Sequence, residues 1–476
     1  MIEPDVNKEC PASKSHVDAN SCHLSDGVCP GRPALAPPAA SFASAVASMR
    51  QPLQFFTQNV VRYPDIFRSG LLGFSAFVIH HPEFIRHVLS TNSRNYVKFE
   101  KYRYLKLIGG NGLVTNECES WVRQRRLVQP AFNQTAIAEA CNIVLEETRG
   151  VVAELAKSGP AVVDVCATMG KLALGIVART LFGSDVSRDA PQIRRELDLA
   201  QRLGTVLLRI PLPLYSAVPY LPVFNEIVKA GNRLRTIVAQ LIMRRRCSGK
   251  KPGDLLDRLM AARDEQSDEG MAEDQLVDEV VTLLVAGHET LLVSLSWSLY
   301  MISRHPEIYD RLHDESSNSP SSVGTDLAEL KPLAWARAIA REVMRLYPPA
   351  YLIGRCALKD DALGGYKVPA GTNVVINTYG MHRHPKYWED PDAFRPERML
   401  RDEAWDPCRF TYLPFGAGPR SCIGARFAIN EMQLVLSQLA RAFAIKPASN
   451  AEVRPAPRLN LEPVRPIRLQ FIPLAA

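Results

Sequence analysis

Phe415-Gly-Ala-Gly-Pro-Arg-Ser-Cys-Ile-Gly424 sets one cysteine among three glycines and a proline, immediately before an amphipathic run from about Ala425 to Phe443 that reads as a helix. Glycine reaches main-chain conformations closed to other residues, so backbone N–H groups in this loop can turn toward the sulfur of Cys422. The start of the following helix adds the positive end of a dipole. Both influences favour an anionic sulfur able to hold a metal. Arg420, two residues earlier, is placed to balance an acidic group nearby. Taken alone, the same run also suits a cysteine that merely packs inside a glycine-rich turn.

What decides between these readings is a resemblance. Phe415, Gly418, Arg420, Cys422 and Gly424 occupy every fixed position of F-x-x-G-x-R-x-C-x-G, the haem signature of the cytochrome P450 superfamily. The resemblance implies a fold that is mainly α with small β-sheets, and haem b held between a long central helix and the cysteine loop. Cys422 would be the axial ligand of the iron, with Phe415, Arg420 and Gly424 around the cofactor.

Further motifs extend the likeness from about Val61 to the carboxyl end. Glu342 and Arg345 lie three apart on a predicted helix, hence on one face, where a lone ion pair is usually a solvated contact worth well under about 1 kcal/mol. In the family an E-x-x-R helix pairs with an arginine from a later irregular segment, which Phe394-Arg-Pro-Glu-Arg398 resembles. Glu342, Arg345 and Arg398 are thus expected as a buried structural triad fixing the cysteine loop. Trp121 and Arg125, one helical turn apart, resemble the W-x-x-x-R pair that holds a haem propionate, and Arg355 matches another propionate-binding arginine. Ala286-Gly287-His288-Glu289-Thr290 resembles the oxygen-activation motif. There Gly287 would leave room for dioxygen, Thr290 would hold water through its hydroxyl, and Glu289 would be the adjacent acid for proton relay. Without the cysteine loop, Thr290 bonding back to its own helix is the simpler account.

The motif occupies the middle of Asp274 to Arg304, a predicted helix of about thirty residues that would span roughly 45 Å. Its apolar stretch is long enough for a membrane span, but His288, Glu289 and Thr290 sit where polar groups are costliest in a bilayer, which favours a buried central helix. Other helices are predicted over Pro82 to Ser90, Glu117 to Val128, Ala136 to Lys157, Val163 to Phe182, Gln192 to Leu208, Val223 to Arg246, Asp254 to Arg263 and Leu327 to Leu346. The last stops at Pro348-Pro349. Short strands are expected at Ile66 to Arg68, at Phe74 to His80 and within Arg458 to Phe471. Tyr366 to Asn377, with Pro369-Ala-Gly371 at its centre, reads as a hairpin.

The 476 residues carry a net charge of +7 and are 22% charged, without a long basic tract, so nucleic acid is not an expected partner. Ten cysteines show no C-x-x-C pair and no disulfide framework, which suits a reducing cytoplasm. Residues 1–45 read as a disordered Pro/Ala/Ser-rich tail with neither signal peptide nor transmembrane anchor, and residues 46–476 as a single haem domain. Cys10, Cys22, His23 and Cys29 in that tail match no zinc pattern.

The expected activity is a monooxygenase reaction, inserting one atom of O2 into a small apolar substrate of the terpenoid, steroid or fatty acid class. Ala200 to Val228, broken by prolines from Pro211 to Pro222, would form a lid over its access channel. The enzyme would act as a monomer. Electrons would come from NAD(P)H through a separate ferredoxin or flavodoxin with its reductase, drawn by Arg123, Arg126 and Arg426 on the thiolate face. A peroxide-using or peroxide-rearranging relative is the alternative that Glu289-Thr290 argues against. A haem-thiolate sensor or carrier is the alternative without catalysis.

Overall fold

A computed structural model describes residues 51–474 other than 64, 72–73, 184–188, 210–220, 320–329, 331 and 401–409. The tail with its Cys10, Cys22, His23 and Cys29, and most of the proline-broken lid, lie outside the described residues.

The chain is mainly helical with small sheets. Its α-helices of five residues or more, among the described residues, are α1 (Pro52–Arg62), α2 (Pro82–Arg86), α3 (Cys118–Val128), α4 (Gln134–Lys157), α5 (Val165–Phe182), α6 (Ala190–Arg209), α7 (Pro222–Ser248), α8 (Leu255–Ala261), α9 (Glu273–Arg304), α10 (Pro306–Asn318), α11 (Ala334–Leu346) and α12 (Ala425–Ala442). The strands are β1 (Ile66–Leu71), β2 (Phe74–Ile79), β3 (Tyr96–Lys98), β4 (Ala161–Asp164), β5 (Ile353–Ala357), β6 (Asp361–Leu363), β7 (Tyr366–Val368), β8 (Asn373–Ile376), β9 (Phe443–Pro447), β10 (Pro455–Pro457), β11 (Leu461–Pro463) and β12 (Arg468–Pro473). The largest sheet runs β1-β2-β8-β5-β3, with only β2 and β8 parallel.

The central helix α9 has 32 residues, with Glu273 and Asp274 in its first turn and Arg304 in its last, charges that suit the two ends of its dipole. It ends at His305, where Pro306 can supply no helical N–H and instead starts α10. The chain itself covers α9, so its length reflects a path through the core. Its first part, Leu276 to Leu284, belongs to a hydrophobic cluster shared with α5, α6 and α7, and its last part, Leu291 to Ile302, to another shared with α4, α11 and α12. Between the two lies Ala286-Gly287-His288-Glu289-Thr290. The polar motif therefore falls where the helix passes from one core to the next. Beyond it Trp297, fully buried, stacks on Tyr347 with ring centroids 4.0 Å apart and donates its indole N–H to Leu461 O at 2.9 Å.

Two expectations need correction. The runs flanking Pro369-Ala-Gly371 do not pair with one another. β7 turns back on β6 through Gly364-Gly365, both at positive φ, a two-residue turn that closes a tight hairpin. β8 leaves instead to lie between β2 and β5. The helix expected from Leu327 begins at Ala334, where the Glu315 carboxylate of α10 accepts the N–H groups of Trp335 at 2.6 Å and Ala336 at 2.9 Å. Residues 327–329 of that expectation lie outside the described residues.

Candidate active site

A cavity of about 430 Å³ separates the cysteine loop from α9, within the range of small-molecule and cofactor sites. On its lower side the loop is pinned by its own backbone. Gly416 and Gly418 take positive φ, and a side chain at Gly418 would strike the carbonyl of Leu89. Cys422 N–H donates to Phe415 O at 2.9 Å, closing the loop on itself, while Arg125 ties it to α3 through Ser421 O at 3.0 Å. The sulfur lies deep in the protein yet keeps open surface, because it faces the cavity. Burial pushes its thiol pKa up, while the Gly424 N–H and the charge of Arg125 act in the opposite direction. A metal cation on the open side would add the strongest influence favouring the thiolate.

The expected triad assembles. Glu342 and Arg345 are fully buried and joined by two bonds, Arg345 Nη2 to Oε1 at 2.7 Å and Nε to Oε2 at 2.8 Å, and Arg398 Nε reaches the same Oε1 at 3.1 Å. The remaining N–H groups of Arg345 donate to the carbonyls of His382, Pro391 and Ala393. One ion pair on α11 thereby organises the irregular segment before the cysteine loop. The link to the loop itself is His382, which sequence reasoning missed. Its Nε2 accepts the Leu413 N–H at 2.7 Å, so its Nδ1 carries the hydrogen donated to Arg345 O at 3.0 Å. Burial, reinforced by the Arg345 charge, pushes the His382 pKa down to about 3, consistent with a neutral ring.

Around the rim, positive charge outweighs negative. The Arg420 guanidinium stacks 4.2 Å from the ring centre of Trp121, ion-pairs with Glu117 and donates to Asn116 O at 3.1 Å. Lys98 stands 3.9 Å from the same Glu117 carboxylate and donates to Asn116 O at 2.9 Å. Burial, with the repulsion of Arg420, pulls the Lys98 pKa down to about 7. Arg355 is buried, its only recorded hydrogen bond runs to the carbonyl of Gly354, and among the described residues no carboxylate lies within ion-pair distance of it. Lys98, Arg355 and Arg420 line the cavity with Trp121, and the one carboxylate beside them, Glu117, pairs only with Lys98 and Arg420. Such a rim fits a group bearing two carboxylates, and the cysteine below fits its iron, so the residues present fit haem. Lys98 too was absent from the sequence reading. Its signal is a lysine two residues after the buried Tyr96, on the inward face of a strand.

Arg125 lines the cavity as expected, but its recorded bonds run to Ser421 and Gln129. Arg123 and Arg126 are engaged, Arg126 with the buried Asp264 at 2.9 Å and Arg123 with Gly270 O at 3.0 Å, which leaves Arg426 exposed beside the cysteine loop.

The opposite wall is α9, where Ala286, Gly287, Thr290, Leu291 and Ser294 face the cavity among mostly apolar neighbours. Thr290 donates its hydroxyl to Ala286 O at 2.7 Å, which loads that carbonyl with a second donor in addition to the helix N–H. Gly287 is also a packing residue: a Cβ there would meet Val177 of α5 at 2.8 Å. Glu289 turns away from the cavity. It is buried, neither carboxylate oxygen has a hydrogen-bond partner among the described residues, and His288 Nδ1 stands 3.4 Å from Oε1.

Residues 33–471 match the family model described as cytochrome P450. The chain is 32% identical over 406 residues to the cyclooctat-9-en-7-ol 5-monooxygenase of Streptomyces melanosporofaciens, covering 84% of this chain and 87% of that protein. It is 32% identical over 427 residues to the pentalenene oxygenase of Streptomyces avermitilis, covering 89% and 93%. Its fold is similar to that of the cytochrome P450DA heme domain, with a TM-score of 0.82 at 23% identity over 93% of this chain and 99% of the other.

Proposed function

The chain belongs to the cytochrome P450 family and is a haem-dependent monooxygenase, and from that premise we propose that it oxidises a terpenoid hydrocarbon or alcohol held over the haem by the apolar wall of α9. The observation that carries this reading is the cavity itself, with Cys422 on one side, Thr290 on the other and mostly apolar side chains between them. Two relatives named for cyclooctat-9-en-7-ol and pentalenene support the terpenoid class over steroids and fatty acids.

Haem bound through a cysteine sulfur supplies the activation of O2 toward unactivated C–H bonds. The chain's own residues do the rest. Cys422 holds the iron, with Phe415 and Gly424 shaping its loop. Lys98, Arg355, Arg420 and Trp121 neutralise the cofactor's carboxylates, and Arg125 adds positive charge beside the sulfur. Thr290 presents its hydroxyl oxygen at the cavity face as an acceptor while its hydrogen is held by Ala286 O, and Glu289, next in sequence and free of hydrogen bonds, is the acid that replenishes protons there. The triad of Glu342, Arg345 and Arg398 acts on the loop alone.

Electrons come from NAD(P)H through a separate ferredoxin or flavodoxin and its reductase, with Arg426 on the docking face. Residues 46–476 form one haem domain, acting as a monomer in the cytoplasm. Among the described residues, the two helices apolar enough to cross a membrane, Val165–Phe182 and Glu273–Arg304, are mostly buried in the fold, which supports that location.

Titrating the ferric protein with pentalenene, a steroid and a long-chain fatty acid, while following the Soret shift that reports loss of iron-bound water, tests the substrate class. Tightest binding by the terpene is expected. A response confined to the fatty acid or the steroid overturns the assignment.

A further inference from the structure

Between β3 and α3 the chain runs Gly109-Gly-Asn-Gly112, and three glycines in four residues let its backbone lie directly against α9. A Cβ at Gly112 would meet the carbonyl of Asp278 at 2.7 Å and collide with the Thr282 side chain, and Gly110 takes positive φ against Asp278. Three side chains of α9 hold this backbone. Asp278 Oδ2 accepts the Asn111 N–H at 2.7 Å, Glu279 Oε2 accepts the Leu113 N–H at 3.0 Å, and Thr282 donates its hydroxyl to Gly109 O at 3.2 Å. Leu113 and Val114 then form part of the cavity wall.

The two carboxyls are not alike. Asp278 is braced by an ion pair with Arg235 of α7. Glu279 is fully buried, its Oε1 has no hydrogen-bond partner among the described residues, and its recorded bond is the one to Leu113. An apolar side chain would fill the same space without the cost of desolvating a carboxyl. What the carboxyl adds is a fixed place for Leu113. The carbonyl of that residue is held as well, because Lys98 Nζ on the cofactor rim donates to Leu113 O at 3.4 Å and to Asn116 O at 2.9 Å. Leu113 is thus gripped at its N–H from α9 and at its carbonyl from β3, while its side chain faces the cavity.

We propose that Glu279 is a specificity-determining positioning residue: by fixing the Leu113 N–H to α9 it sets how far the wall of Leu113 and Val114 stands into the cavity, and so the size of apolar molecule the cavity admits. The inference rests on the proposed placement of the substrate in this cavity. Glu279 is not among the lining residues and acts through Leu113. When its bond is lost the wall is free to retreat. A compact ligand then loses contacts on that side, and a bulky one gains room. Asp278 and Thr282 still hold Asn111 and Gly109, which confines the displacement to the wall.

Imidazoles of graded size, bound to the iron of the haem-loaded ferric protein and followed by the Soret shift, read the wall without turnover. The probes are imidazole, phenylimidazole and tritylimidazole. Glu279→Leu is expected to leave imidazole affinity unchanged and to raise the affinity for tritylimidazole relative to phenylimidazole by on the order of tenfold, the equivalent of one hydrogen bond to a carboxyl group. Glu279→Gln keeps an oxygen for the Leu113 N–H and should hold the wild-type ratio. Should Glu279→Leu fail to load haem, Gly112→Ala forces the same segment off α9 and is expected to move the ratio in the same direction. A wild-type ratio in whichever of these two decides the test, or an equal shift in Glu279→Gln, overturns the proposal. If the ratio moves as expected but pentalenene gives no Soret response in wild type, the role of Glu279 stands and the terpenoid reading fails. If pentalenene binds and the ratio stays, the role of Glu279 fails alone.

Discussion

His382 Nε2 accepts the backbone N–H of Leu413 at 2.7 Å, two residues before Phe415 opens the cysteine loop. Through its other nitrogen the same ring holds Arg345 O, so a neutral imidazole joins the triad helix to the loop. His382→Leu leaves that amide without a partner in the core and is expected to cost about 1–3 kcal/mol of stability. Chemical denaturation with haem retention as a second readout checks this.

The same ring gives an acid signature. Its native pKa, about 3, lies below the ordinary 6.5, so the unfolded chain binds the extra proton first. Its contribution to stability is intact above about pH 6.5 and is lost as pH falls toward 3, with a slope of at most about 1.36 kcal/mol per pH unit. Denaturation midpoints of wild type and His382→Leu should therefore converge as the solution is acidified. A constant gap between them would contradict the neutral ring.

Removing one member of the triad should be worse than its sequence spacing suggests. An exposed pair at this spacing contributes a few tenths of a kcal/mol, whereas Glu342 and Arg345 are both fully buried, and stranding either charge costs about 3–5 kcal/mol. Glu342→Ala is expected to prevent recovery of haem-loaded protein. Arg398→Ala, at the 16% exposed corner, should remain foldable with a lowered thermal midpoint. Equal behaviour of the two variants would show that burial does not set their weight.

The difference between those residues also marks where sequence reading stops. Cys422, Glu342, Arg345 and Thr290 were legible because each belongs to a short motif whose spacing fixes its local geometry. The long helix was legible from its apolar run. His382, Lys98 and Glu117 were not, since each matters through a partner brought near by tertiary packing, such as Leu413 for His382 or Arg420 for Glu117. The misread hairpin has the same cause. β8 carries a fair strand pattern, but its partners are β2, almost three hundred residues earlier, and β5. The Gly364-Gly365 turn that does close a hairpin was a local signal and was overlooked.

Lys98 supplies a pH test of cofactor binding. Its pKa is held down to about 7 by burial and Arg420, so it is losing its charge as pH rises through neutrality. The two carboxylates of the haem favour the charged form, so haem binding takes up a proton there, and affinity should fall as pH rises from about 6 to about 9. Haem transfer to apomyoglobin should accelerate over that range in wild type. Lys98→Met should lose haem faster at the low end and show a flatter profile. An unchanged profile in the variant removes Lys98 from the rim.

Thr290 presents its hydroxyl oxygen to the cavity while donating to Ala286 O, so its removal deletes that hydroxyl without opening a buried void. Thr290→Ala should therefore fold and load haem like wild type. With a terpene probe and a surrogate ferredoxin, product per NAD(P)H is expected to fall by up to about 10²-fold, the lower range for a positioned proton donor, with electrons diverted to hydrogen peroxide. Thr290→Ser keeps the hydroxyl and should retain most of the coupling. Peroxide yield measured beside oxygen uptake separates this outcome from a plain loss of substrate binding, which lowers both together. Full coupling in Thr290→Ala would mean that the hydroxyl only braces its own helix.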